Sequence, residues 1–132
     1  MAHVFVSYSR HDQPFVRRLT EHLRAAGREA WVDWEGIAPS AKWMAEIRAA
    51  IDAADAFVFI ISPDSLASLV CADEIEHARA ANKRILPVVA RAAANVPPTL
   101  AEVNWIVFAS PDDAEALPRL IAALDTDPAW VS

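Results

Sequence analysis

Runs of consecutive apolar residues alternate along this chain with stretches whose apolar positions recur at helical spacing. Val4-Phe5-Val6 and Ala56-Phe57-Val58-Phe59-Ile60-Ile61 show no polar alternation, which is the pattern of strands covered on both faces. The pattern predicts strands over 3–7, 29–34, 56–61, 84–89 and 103–108. Between the first two, Phe15, Val16, Leu19, Leu23 and Ala26 share one face of a helix over 12–26, with Asp12 as its N-cap and Gly27 as its stop. After the loop Glu35-Gly36-Ile37-Ala38-Pro39, Ser40 caps a second helix that presents Trp43, Ile47, Ala50, Ile51 and Ala54. A third helix is predicted over 70–81, and the loop holding Val96-Pro97-Pro98 leads to the fifth strand. A last helix over 113–124 buries Leu117, Leu120, Ile121 and Leu124.

Strands alternating with helices give a parallel sheet with helices on both faces. Ligands of such sheets sit outside the carboxyl ends of the strands, where strand order reverses. If strands one and three are neighbours there, two segments meet: Ser7-Tyr8-Ser9-Arg10-His11-Asp12 and Ser62-Pro63-Asp64-Ser65, continuing to Ser68, Cys71 and Glu74. Together they line one crevice with an arginine, several hydroxyls and a carboxylate.

Composition narrows the classes. A length of 132 residues with 55% hydrophobic and 23% charged residues fits one globular domain with a full core. The net charge of −6 comes without a basic stripe, so nucleic acid is not expected as a partner. Cys71 is the one cysteine, which rules out an internal disulfide and suits a reducing compartment. No apolar run reaches membrane-spanning length, and Met1-Ala2-His3 enters a strand at once without a signal peptide. The expectation is a cytoplasmic domain that binds no membrane. Residues 126–132, with Trp130, complete no element, so 1–125 reads as the domain and 126–132 as the start of a linker to a further carboxyl-terminal region. Only Gly27 and Gly36 are glycines, which excludes both a dinucleotide fingerprint and a Walker loop. Any phosphate is then held by side chains and helix amino termini. His3, His11, His22 and His77 show no metal-ligand spacing, and no metal or cofactor is expected.

Four segments in order resemble the Toll/interleukin-1 receptor (TIR) domain family, specifically its bacterial members. Val4-Phe5-Val6-Ser7-Tyr8-Ser9-Arg10-His11-Asp12 is similar to the family's first box. Trp31-Val32-Asp33-Trp34 with Gly36-Ile37 resembles its second strand and following loop. Ser62-Pro63 through Ser68, Cys71 and Glu74 resembles the third-strand exit and the helix bearing its catalytic glutamate, and Asn104-Trp105 resembles its last strand. The resemblance implies a flavodoxin-like three-layer α/β sandwich whose five-stranded parallel sheet has order 2-1-3-4-5. It implies an NAD+ glycohydrolase that releases nicotinamide and ADP-ribose or a cyclic isomer, with NAD+ as substrate and no separate cofactor. Bacterial antiphage or stress defence is the implied setting, and head-to-tail association with other TIR domains is the implied trigger. Glu74 takes the catalytic position, and Tyr8, Ser9, Arg10, Asp33, Trp34, Ser65 and Cys71 fall in the segments that line the nucleotide site. Val70 departs from the pattern, because bacterial members often carry Trp there.

Helical geometry singles out the same carboxylate. At about 100° per residue, Cys71, Ile75 and Ala78 form a stripe facing the sheet, and Glu74 lies about 40° from Ala78 at its border. Asp73 and Glu76 point away. Cleaving a nicotinamide–ribose bond creates an oxocarbenium-like centre that one carboxylate can stabilise. The pyridinium leaves neutral, so no general acid is needed. Arg10, Ser9 and Ser65 could hold diphosphate or ribose, and Trp34 could stack on a base.

Plainer readings stand beside these. Glu74 reads equally as a solvated face residue or an arginine's partner, and Arg10 as an ordinary loop cation. Ser9 and Asp12 read as helix caps, Trp31, Trp43 and Trp105 as core, and Cys71 as a small buried hydrophobe. The competing function is a non-catalytic module docking other TIR domains. A phosphorylatable receiver is set aside, since strand three runs into Ile61-Ser62 without an acceptor Asp. A flavin-binding domain is set aside too, since Ser9-Arg10-His11-Asp12 is no phosphate turn.

Overall fold

The computed structural model describes residues 3–32, 41–91 and 105–125. Five parallel strands form one sheet in the order β2-β1-β3-β4-β5. They are β1 (His3–Ser7), β2 (Glu29–Trp31), β3 (Ala56–Ile61), β4 (Arg84–Val89) and β5 (Ile106–Val107). The helices are α1 (Gln13–Ala25), α2 (Ala41–Ala53), α3 (Pro63–Leu66), α4 (Leu69–Ala80) and α5 (Ala116–Asp125). β1 and β3 are neighbours, so strand order reverses between them and the crevice predicted at their exits has its topological basis.

Side-chain alternation along each strand sorts the core into two layers. Val4, Val6, Ala56, Val58 and Ile60 pack toward α1 and α5, onto Val16, Leu19, Leu23, Leu120 and Leu124. Phe5, Phe57, Phe59 and Ile61 pack toward α2 and α4, onto Ile47, Ile51, Cys71 and Ala78. Phe5 stacks between Trp31 and Phe57, with ring centroids 5.0 and 5.4 Å away. Trp31, expected in the core, is half-exposed and walls the second layer at the β2 edge.

Helix ends follow local chemistry. Gly27, at φ +79°, closes α1 in a Schellman motif: its amide donates to the Arg24 carbonyl and the Arg28 amide to the Leu23 carbonyl. Asn82, at φ 58°, ends α4 in the same way, with the Lys83 amide donating to the Ala78 carbonyl. Asp113 precedes α5, where its carboxylate accepts from the Glu115 and Ala116 amides, so the helix begins three residues later than its periodicity predicts.

One local expectation is corrected. Asp12 makes no side-chain cap bond to α1; a 3-10 turn at Arg10–Asp12 precedes the helix, and the carboxylate is used elsewhere. After β3, Pro63–Leu66 form a one-turn helix of their own with Ser62 as N-cap. Ser62 and Ser65 form a reciprocal capping box, with Pro63 in the first turn. Asp33, Trp34, the 35–39 loop with Gly36, Ser40, the Trp43 side chain, the Val96-Pro97-Pro98 loop, Val103, Asn104 and 126–132 lie outside the described positions.

Candidate active site

Period-two alternation decides where each polar residue at the strand exits points. On β1, Phe5 and Ser7 share a face, so Ser7 projects toward α4. Beyond β3, Ser62 follows Ala56, Val58 and Ile60 and projects toward α1. Two polar clusters result, one on each face of the sheet at its carboxyl edge.

On the α4 face, Ser68 caps the helix by accepting from the Cys71 amide at 3.2 Å. One turn inside, Glu74 lies on the buried stripe with Cys71 and Ala78, not at its border, and is 6% exposed. Ile75 takes the border position that geometry had given to Glu74. The Ser7 hydroxyl donates to Glu74 Oε1 at 2.7 Å. Cys71 lies one turn before Glu74 on the same buried stripe. Burial pushes its thiol pKa up to about 11, against the pull of the Ser68 and Ser7 hydroxyls. At neutral pH it is a thiol, not a nucleophile.

On the α1 face, Asp12 accepts from the Ser62 hydroxyl at 2.5 Å and from Arg91 Nε at 2.9 Å. Arg91 also hydrogen-bonds Asp64 of α3, which holds that carboxyl below its ordinary range. The guanidinium thereby ties the β4 exit to α3 and to the start of α1.

Asp73 and Glu76 point off α4 into surface pairs with Arg48 and Arg79, as helical geometry predicts. Of the residues singled out from sequence, the structure brings Glu74 and Cys71 together, with Ser7 added. Tyr8 packs against the α1-side layer, and Arg10 is exposed. Ser9 caps the 3-10 turn by accepting from the His11 amide, and the Ser65 hydroxyl is engaged in its capping box. Asp33 and Trp34 are outside the described residues. Ser7 and Arg91 were missed as site residues. Ser7 had a signal, a hydroxyl in register with Phe5 on a buried strand. Arg91, two residues past β4, had none.

Above Glu74 the first turn of α4 carries exposed apolar side chains, Leu69 at 87% and Val70 at 36%. Val70 is one turn from Glu74 on the same face and forms an apolar lip. A separate cavity of about 280 Å³ lies toward the other end of the sheet, lined by Val4, Ala30, Trp31, Ala50, Ala53, Ala54 and Glu29. It does not include the polar clusters. Among the described residues no group of three or more His, Cys, Asp or Glu side chains is placed to hold a metal ion. No described helix is long and apolar enough to cross a membrane.

A doubly wound parallel sheet with a buried carboxylate beside the strand-order reversal defines the class of molecule. Within that class, the TIR domain family model matches residues 4–121, and the chain belongs to this family. Solved structures similar to it include the TIR domain of the Toll-related receptor TRR-2 from Hydra magnipapillata. That match has a TM-score of 0.81 at 20% identity and covers 96% of this chain and 100% of the other. A prokaryotic SEFIR domain matches with a TM-score of 0.75 at 17% identity, covering 98% and 96%. The CMP N-glycosidase BcmB of Clostridium botulinum matches with a TM-score of 0.64 at 20% identity, covering 90% and 98%. At these identities the likeness is one of fold. No curated protein matches the chain.

Proposed function

We propose that this TIR domain is an NAD+ glycohydrolase, breaking the nicotinamide–ribose bond to give nicotinamide and ADP-ribose or a cyclic isomer. The observation that carries the reading is Glu74: a carboxylate 6% exposed, at the carboxyl edge of the sheet beside the β1/β3 reversal, with its Oε1 fixed by Ser7. A negative charge held in a poorly solvated site stabilises a developing cation far better than one in water. As the bond stretches, positive charge moves from the pyridinium ring to the ribose, and the nicotinamide departs neutral. Glu74 then faces the oxocarbenium-like centre or bonds briefly to the anomeric carbon before water or an internal nucleophile replaces it. Arg10, exposed in the turn after β1, is the proposed cation for the diphosphate, and Tyr8, Ser9, Asp33, Trp34, Ser65 and Cys71 remain the proposed surroundings of the nucleotide. Support also comes from the fold's likeness to a structure described as a CMP N-glycosidase, an enzyme that cleaves the same type of bond.

Homotypic association with other TIR domains is the proposed activating step, and defence against phage or stress the proposed setting. A second reading is a non-catalytic docking module. The observation that favours it is the apolar lip, where Leu69 and Val70 stand exposed at the crevice. Nicotinamide release from NAD+ by the concentrated domain, with and without a crowding agent and beside Glu74→Ala, separates the two. Release that rises with concentration and vanishes in the variant supports the glycohydrolase. No release, or equal release from the variant, leaves the docking module.

A further inference from the structure

We infer that Ser7 is a positioning residue for Glu74: its buried hydroxyl holds one carboxylate oxygen in place and favours the ionised form. The inference rests on the glycohydrolase reading for its consequence, while its geometry stands apart from that reading. Ser7 ends a strand on which Phe5 is the preceding inward position of this face, and it is 1% exposed. A hydroxyl there adds nothing to apolar packing and is buried at a cost unless it is hydrogen-bonded. Its bond goes to Glu74 Oε1 at 2.7 Å, across 67 residues of chain.

The direction of the proton follows from what each group can do. An ionised carboxylate only accepts, so the Ser7 proton points at Glu74. That bond favours the ionised form and holds one rotamer. Donor and acceptor both sit on regular elements, Ser7 on β1 and Glu74 on α4, so the bond depends on no loop.

Among the described residues, charged side chains near Glu74 are held in pairs of their own. On its own helix, Asp73 and His77 are paired to Arg48 and Asp52 of the adjacent α2, and Glu76 to Arg79. Asp12, near the start of α1, is tied to Ser62 and Arg91. A change at Ser7 leaves all of these in place.

The test is a carbon-13 NMR titration of the Glu74 carboxyl in the whole chain, assigned by comparison with Glu74→Gln, alongside nicotinamide-release kinetics. Ser7→Ala is expected to raise the Glu74 midpoint by about one pH unit, the worth of one hydrogen bond to a charged group. Ser7→Thr, which keeps the hydroxyl, should restore it. In kinetics, Ser7→Ala should lower kcat about tenfold with KM within about twofold. Ser7→Cys, near-isosteric and a weaker donor, must also raise the midpoint and carries the test if Ser7→Ala does not fold. A raised midpoint in a chain without Glu74-dependent release upholds the positioning role and removes the glycohydrolase reading. A midpoint unchanged in folded Ser7→Ala or Ser7→Cys overturns the positioning role, whatever the activity.

Discussion

Two buried carboxylates stand at the same edge of the sheet on opposite faces, and the partners described for them differ. Asp12 meets a guanidinium and a hydroxyl; Oε1 of Glu74 meets the Ser7 hydroxyl. A carboxylate bridged by arginine has its charge answered inside the protein and serves as a staple, here joining the exits of β3 and β4 to α1. A carboxylate held by a hydroxyl beside the strand-order reversal is the one that the proposed reading gives to the substrate. The difference teaches that burial alone does not mark a candidate catalytic acid; its place at the strand exits and its partners must be read together.

The largest effect that can break this division lies at Glu74. Glu74→Gln keeps shape and one acceptor but removes the charge, so nicotinamide release should fall at least about 100-fold while the thermal midpoint moves by less than about 3 °C. Loss of stability without loss of turnover would put Glu74 among the staples. Next comes Asp12→Ala, which takes the acceptor from the buried Ser62 hydroxyl proton and removes an anchor for Arg91. Urea unfolding should register about 2 kcal/mol of lost stability, with turnover per folded molecule retained. Arg91→Met should cost less, a thermal midpoint lower by a few degrees, because the arginine side chain is 48% exposed and water screens its pairing.

Smaller still is a pH effect. Asp64 is held low chiefly by the Arg91 hydrogen bond, Asp113 by backbone amides of Ala109, Ala116 and Glu115, and Asp125 by Arg28. A folded-state pKa below the unfolded value gives stability that is present above about pH 4 and is lost as pH falls through the folded value. Urea midpoints should therefore drop steadily on acidification below about pH 4, and Arg91→Met should shallow that drop. At Cys71 no energetic trace is expected, only a chemical one. A disulfide reagent at pH 8 should leave the native thiol untouched and label it fully after unfolding.

How much of this was legible beforehand follows from the physics of each element. β3 was predicted to the residue because a strand buried on both faces leaves a continuous apolar run; β4, buried only in its second half, was bounded equally well by its apolar run from Ile85 to Val89. α1 ended where Gly27 said it must, since only a left-handed residue closes that motif cheaply. The α3 turn escaped because four residues carry no periodicity; its mark was the Ser62-Pro63-Asp64-Ser65 capping signature. Asp12 was misread because a cap and a tertiary ligand share the same chemistry at the same place, and only the fold shows Arg91 arriving from another strand. Glu74 was placed one notch too far out, since an ideal helical wheel does not know how α4 rolls on the sheet. Ser7 was visible as a hydroxyl in register with Phe5, yet its partner lies 67 residues away.

The division between staple and reactive carboxylate is tested most directly by measuring turnover per folded molecule and thermal midpoint together, for Glu74→Gln and Asp12→Asn side by side with the unaltered chain. The account predicts a crossed result: Glu74→Gln folds as before and releases no nicotinamide, while Asp12→Asn melts several degrees lower and turns over normally once folded. Equal turnover in Glu74→Gln and the unaltered chain would contradict it.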